Sequence, residues 1–321
     1  RSWGIRAGSK SQRNGIRAGM RGLSFVAALL LAAGLGGGCS PRTYVLHRVS
    51  DAVSSGGEGF AADDDPELVR DSVPFALKAM ESLLSEQPYH QGLLTSLSRG
   101  FTQYAAAFVL QDAVEAADPA LSQAGRERAR RLFLRARDYG LRGLSAGNAG
   151  FREEFAANPL KGARLAERED VPLLFWAGVS WSLAVSLSQD DPGMLADLPR
   201  CEALMRRALA LQEDFDDGAV HEYFIAFDGG RPEAMGGSAS RARRHFERAM
   251  ELARGRKVSP LVTFAESVSV RRQDRKEFLE LLDRALAFDA RREAPERRLA
   301  NLIAQRKARW LKERVDELFV E

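Results

Sequence analysis

Residues Ala242-Arg-Arg-His-Phe-Glu-Arg-Ala249 decide the fold. Two Ala lie seven residues apart, and Phe246 stands three residues before the second. At 3.6 residues per turn these positions share one helix face. The pattern recurs four times. Phe75-Ala-Leu-Lys-Ala79, Leu132-Phe-Leu-Arg-Ala136, Leu204-Met-Arg-Arg-Ala208 and Leu281-Leu-Asp-Arg-Ala285 each end on an Ala preceded by Lys or Arg. Three residues before the Ala stand Ala76, Phe133, Met205 and Leu282, and four further back Ser72, Ala129, Cys201 and Phe278. Mostly small residues let two helices cross closely, while a larger knob fills the next turn. Cys201 occupies one of the small slots, so a buried, inert thiol is expected there.

This face resembles one half of a tetratricopeptide (TPR) helix pair. Residues 79, 136, 208, 249 and 285 are spaced by 57, 72, 41 and 36. The last two intervals are near the TPR period of about 34, and the earlier ones carry insertions. Asp65-Pro66, Asp118-Pro119, Asn158-Pro159, Asp191-Pro192 and Ser259-Pro260 each place a capping side chain before a Pro, marking helix starts. No long alternating strand pattern appears. The expectation is an all-α, TPR-like helical-hairpin repeat array (α-solenoid) over 66–321, with additional N- and C-terminal helices.

Outward from the repeats, the front of the chain reads as an address. Residues 1–39 hold six of the 47 basic groups (Arg1, Arg6, Lys10, Arg13, Arg17, Arg21) and none of the 44 acidic ones. The rest is 41 basic against 44 acidic, net −3, so the overall +3 is not the signature of a nucleic-acid binder. Met20-Arg-Gly22, an apolar run Leu23–Leu35 and Gly36-Gly-Gly-Cys39 have the order of a secretory signal over 20–39. Gly4-Ile-Arg-Ala-Gly8 recurs as Gly15-Ile-Arg-Ala-Gly19, which reads as upstream translation or a basic tail over 1–19. Cys39 resembles the lipidated Cys of a bacterial lipobox, although Gly36 stands where that motif prefers an aliphatic residue. Ser40 follows instead of the Asp that marks inner-membrane retention, so the resemblance implies a lipid anchor in the outer membrane's inner leaflet. Residues 40–65, polar and rich in Gly and Asp, are expected to be a flexible tether.

Chemistry is sparse. His221-Glu222 opens like a zinc-protease motif, but Ile225 stands where the second ligand would be. No G-x-S-x-G, P-loop or metal-spaced Cys pair is present. A non-enzyme without cofactor or metal is expected. Two stretches stand out. Val171–Leu187 is apolar on nearly every side, the mark of a central helix or a cavity wall, and carries Trp176 and Trp181 five residues apart. Phe215–Phe227 places Tyr223 and Phe227 on one helical face, followed by a Gly-rich connector. Trp176, Trp181, Tyr223 and Phe227 are the candidate lining of a ligand cavity; the competing reading is plain core. Arg306, Lys307 and Arg309 offer a docking patch or a solvated terminal helix.

Five blocks then recur in the order of a known family. They are Leu174-Phe-Trp-Ala177 with Trp181; Arg207-Ala-Leu-Ala-Leu211 with Asp216-Asp-Gly-Ala-Val-His-Glu222; and Gly236-Gly-Ser238 with Ala242–Ala249. Gln273-Asp-Arg-Lys-Glu-Phe278 and Leu299-Ala-Asn-Leu-Ile-Ala-Gln-Arg-Lys-Ala-Arg-Trp-Leu311 complete the set. Over roughly 66–315 the chain resembles the T-component (TatT-like) lipoproteins associated with TRAP transporters. The resemblance implies a periplasmic, lipid-tethered accessory protein that partners a solute-binding protein, and a homo-oligomer, a trimer in that family. It also implies an apolar cavity suited to hydrophobic or organic-acid ligands. The rival reading is a TPR-type envelope scaffold binding an outer-membrane assembly or peptide partner.

Overall fold

The computed structural model describes residues 58–320, which lie within one unit, 49–321. Residues 1–19, the signal 20–39 with Cys39, and most of the tether lie outside the described residues. Every regular element described is helical: α1 Glu58–Ala61, α2 Pro66–Glu86, α3 Gln91–Tyr104, α4 Gln111–Glu115, α5 Pro119–Gly147, α6 Phe151–Ala157, α7 Pro159–Ala163 and α8 Val171–Ser186. Then follow α9 Pro192–Leu195, α10 Leu198–Leu211, α11 Ala219–Gly229, α12 Ala239–Ala253, α13 Ser259–Phe264, α14 Arg275–Ala287, α15 Arg298–Glu313 and α16 Val315–Leu318. Two π-helical segments interrupt this order, Ala105–Leu110 between α3 and α4 and Ala265–Ser269 after α13. The tract from Glu58 to Asp65, read from sequence as the end of the tether, carries α1, and its Asp64 meets Arg298 at 3.3 Å.

Four of the five Pro-preceding caps form as the residues demand. Asp65, Asp118, Asn158 and Asp191 each accept a backbone N–H of the first turn. Ser259 does not cap. It is the first helical residue of α13, its hydroxyl donates to Glu222 at 2.9 Å, and Val258 occupies the cap position. The Val258 N–H is satisfied from afar, by Asn301 Oδ1 at 3.1 Å.

The helices make two layers. α2, α5, α10, α12 and α14 carry the repeated face; α3, α8, α11, α13 and α15 are their hairpin partners. In the second layer α3 packs on α8, α11 on α13 and α13 on α15, while α15 also touches α1 and α2, so the last long helix returns to the first. α8 is central, packed on α3, α5 and α10. Two glycines let it in. A Cβ at Gly140 of α5 would stand 2.7 Å from the Ala177 Cβ, and one at Gly178 would stand 2.7 Å from Met205 Sδ.

The repeated face does in four helices what its spacing requires. Ala129, Phe133 and Ala136, then Cys201, Met205 and Ala208, then Phe278, Leu282 and Ala285 are all fully buried; so are Ala242 and Ala249, with Phe246 nearly so. α2 differs. Ala79 is exposed, and Phe75 is 81% exposed, because this helix buries Val69, Leu77 and Leu84 instead. The sequence alignment of α2 is therefore rotated from the face it uses. α2 begins the array and packs mainly on α3, so one buried face suffices. Ala136→Leu is expected to cost about 1–3 kcal/mol or more by overpacking. Ala79→Leu should stay within about 0.5 kcal/mol. Urea unfolding of the two variants measures the contrast.

Apolar clusters follow the layers. One runs from Leu144 through α8 and α10 to Phe227, and a second from Ile225 to Phe319. Helix α11 belongs to both: Val220, Phe224 and Phe227 enter the first and Ile225 the second. Two smaller clusters join α2 and α3 to the middle of α5, one of them taking in the π segment after α3 and Ala184 of α8.

Candidate functional site

Helix α8 has so many apolar residues that its neighbours cannot cover them all. Its partly exposed apolar positions are Pro172, Trp176, Val179 and Leu183, at i, i+4, i+7 and i+11, with Ser182 and Ser186 also reaching the surface. That spacing draws one stripe along the helix. Trp176 stands in this stripe, its ring edge-on to Phe175 at 4.9 Å, and Phe175 leans on Phe215 at 5.2 Å. An apolar stripe on the central helix, open over part of its area, suits an apolar molecule.

Of the other three aromatic candidates, Trp181 and Phe227 are buried, while Tyr223, like Trp176, is partly exposed. Trp181 is 6% exposed, donates Nε1–H to Asp197 Oδ2 at 3.1 Å and lies under the Arg137 guanidinium. Tyr223 exchanges a hydrogen bond with Ser182 at 2.9 Å, the link from α8 to α11, and burial raises its pKa. Phe227 stacks on Tyr223 at 5.4 Å and carries Arg231 at 3.6 Å from its ring centroid. Tyr223 and Phe227 are thus brought together, as their i, i+4 spacing requires, while the two Trp point apart. Trp181 and Phe227 sit in the packed cluster, and Tyr223 packs against it, as Trp176 and Val179 of the stripe also do on their inner sides. Cys201 is buried in the same cluster, its thiol pushed up to about 12 by burial.

The block Asp216-Asp-Gly-Ala-Val-His-Glu222 is a joint. Asp216, Asp217 and Gly218 all have positive φ (45°, 53° and 84°). Each of the two Asp residues costs of order 1 kcal/mol or more in that region. Their carboxylates meet cations on other elements: Asp216 takes Arg297 at 2.8 Å and Asp217 takes Arg256 at 2.6 Å. Glu222, at the far end, accepts from Ser259 at 2.9 Å and faces Lys257 at 3.4 Å. The block therefore ties α11 to α13 and to the start of α15. Arg99 of α3 is partly buried near Asp216, and burial lowers its pKa.

Sequence reasoning missed one cluster outright. His221 Nδ1 lies 2.8 Å from His245 Nδ1, and His221 Nε2 lies 3.1 Å from Glu213 Oε1. The Glu213 carboxylate, itself forked by Arg248 at 2.9 and 2.8 Å, takes the Nε2–H of His221. His221 Nδ1 then accepts from His245 Nδ1–H, and His245 Nε2 faces Asp228 at 4.0 Å. Burial depresses both histidines, His245 to about 4, with His221, Arg244 and Arg206 adding to the effect and Asp228 opposing it. Arg248 holds Glu213 at about 2. A signal was available: in an antiparallel hairpin, residues equidistant from the connector meet, and 221 and 245 flank position 233 symmetrically.

The terminal cations are spoken for. Arg306 pairs with Asp112 at 2.9 Å and Glu115 at 2.5 Å, and Lys307 with Glu266 at 2.6 Å. Arg309 alone of that trio is exposed. Among the described residues no group of three or more His, Cys, Asp or Glu is placed to hold a metal ion. Nor is any described helix long and apolar enough to cross a membrane.

Comparison with known proteins agrees with this architecture. A curated protein of Treponema pallidum (strain Nichols), described only as an uncharacterized protein, is 29% identical over 323 aligned residues. The match covers 93% of this chain and 97% of that protein. The TRAP transporter T-component family matches residues 62–319, from the turn before α2 to the end of α16. With four-fifths of the sequence so matched, the chain belongs to the TRAP transporter T-component family.

Proposed function

We propose that this accessory component of a TRAP transporter works outside the cytoplasmic membrane, tethered by lipid at Cys39. There it docks the system's solute-binding protein and holds or passes a hydrophobic or organic-acid ligand. The observation that carries the ligand reading is the partly exposed apolar stripe of Pro172, Trp176, Val179 and Leu183 on the central helix α8. Family membership supports the transporter association. No cofactor or metal has a part in this reading, and its chemistry is binding, not bond-making.

The test pairs two tryptophans in one helix. Trp176→Ala should weaken binding of a fluorescent apolar acid, anilinonaphthalene sulfonate, by about tenfold, as loss of a central aromatic contact does. Its unfolding midpoint should fall little. Trp181→Ala should cost about 3–5 kcal/mol of stability, as a buried Trp does. Unaltered affinity in folded Trp176→Ala would refute the stripe as a binding surface. Crosslinking of the native protein in its own membranes addresses docking: recovery of outer-membrane assembly proteins and no solute receptor would favour a scaffold instead.

A further inference from the structure

The return of α15 to the N-terminal helices is built unlike the other long-helix contacts. The four apolar clusters hold the array together within its blocks, yet none contains residues from both α1–α4 and α13–α16. Ion pairs do cross this seam. Arg306 of α15 reaches Asp112 and Glu115 of α4, and Asp112 also takes Arg70 of α2. Asp64, beside α1, faces Arg298 at 3.3 Å and Arg291 at 3.8 Å. Arg306, Asp112 and Glu115 are 33%, 32% and 23% exposed. Ion pairs this open add little net stability and are screened by salt, whereas buried apolar contacts are not.

Backbone geometry points to the same place. Asp112 and Glu115 follow directly on the π segment Ala105–Leu110, and Glu266, the partner of Lys307, lies inside the other π segment. A π turn takes up about one extra residue, so relaxing it to α would swing the following side chains about 100° around the helix. Both carboxylates that hold Arg306 across the seam therefore follow a backbone form with a nearby alternative, while Glu266 holds Lys307 within the second block.

We propose that the α4–α15 seam is a latch. The array opens there as Arg306 leaves Asp112 and Glu115, while the apolar blocks on either side stay folded. This goes beyond the ligand reading and stands without it, since opening is a property of the chain alone.

The experiment measures a distance across the seam. In the full chain with Cys39→Ser, nitroxides are placed at Asp71→Cys on α2 and Arg309→Cys on α15, both exposed positions. Buried Cys201 stays unlabelled. A control pair, Glu251→Cys and Glu280→Cys, lies within the second block. Pulsed dipolar spectroscopy should show one short seam distance at low salt. Arg306→Glu, or 1 M salt (about a 3 Å Debye length), should raise a longer-distance population by about tenfold, a shift typical of biasing a two-state element. The control distance should not change. The swap Arg306→Glu/Glu115→Arg should return the seam part-way to its parental distance. An unaltered seam in both Arg306→Glu and high salt would overturn the latch. So would equal broadening of the control pair, which would mean general loosening.

Discussion

Phe133→Ala is expected to lower the unfolding free energy by about 3–5 kcal/mol, the range for truncating a buried Phe. Phe133 is the knob of the repeated face in α5, with no exposed surface. It packs in a cluster with Ala105, Val109, Ala129 and Ala184, so its loss leaves a hole bounded by α3's π extension and by α8. Alanines on that wall have no longer side chain to swing into the gap. Phe75→Ala supplies the contrast, because that Phe is 81% exposed and should change stability by no more than about 0.5 kcal/mol. Urea denaturation with a shared slope for parent and variant reads both values. A cost below about 1 kcal/mol for Phe133 would mean that the face does not carry the array.

Acid should loosen the joint between α11 and α12 well before general denaturation. His245 has its folded pKa near 4 against an ordinary 6.5, and His221 is lowered as well. Between those values the unfolded chain binds more protons, so stability falls as pH falls. The contribution is whole above pH 6.5 and is lost on the way to pH 4. A shift of that size corresponds to roughly 2–3 kcal/mol for His245 after allowing for its partial exposure. The groups facing the pair are Glu213, Asp228, Arg206, Arg241, Arg244 and Arg248. Glu213, held near 2 by Arg248, acts in the same direction at still lower pH. His245→Gln should flatten the loss between pH 6.5 and 4, measured as unfolding midpoint against pH. An equally steep loss in His245→Gln would show that the titration lies elsewhere.

The fold was legible wherever one residue's neighbours are fixed by helical spacing. The repeated faces of α5, α10, α12 and α14 are buried as that spacing dictates, and four capping side chains bond as their chemistry dictates. α2 was misread because an end helix needs only one covered face, and pattern alone does not say which. Ser259 was misread because its hydroxyl had a better partner in Glu222, 37 residues earlier in the chain. The same limit governs the candidate site. Apolar character on all sides marked α8 as central, but which of its aromatics stands at the open stripe depends on which neighbours arrive. Burial of Trp181 was set by Asp197 and Arg137, and the histidine pair by hairpin register.

The meeting of α15 with α1 and α2 also bears on how such a chain can change over generations. An open solenoid gains or loses units at its ends, since each unit needs only its neighbours. Here both ends already have an occupant, so a duplicated hairpin would push Arg306 away from Asp112 and Glu115 and part Arg298 from Asp64. A duplicated hairpin is therefore expected to destabilise the chain, whereas an added residue in the connector Gly230–Ser238 would leave these end-to-end pairs in register.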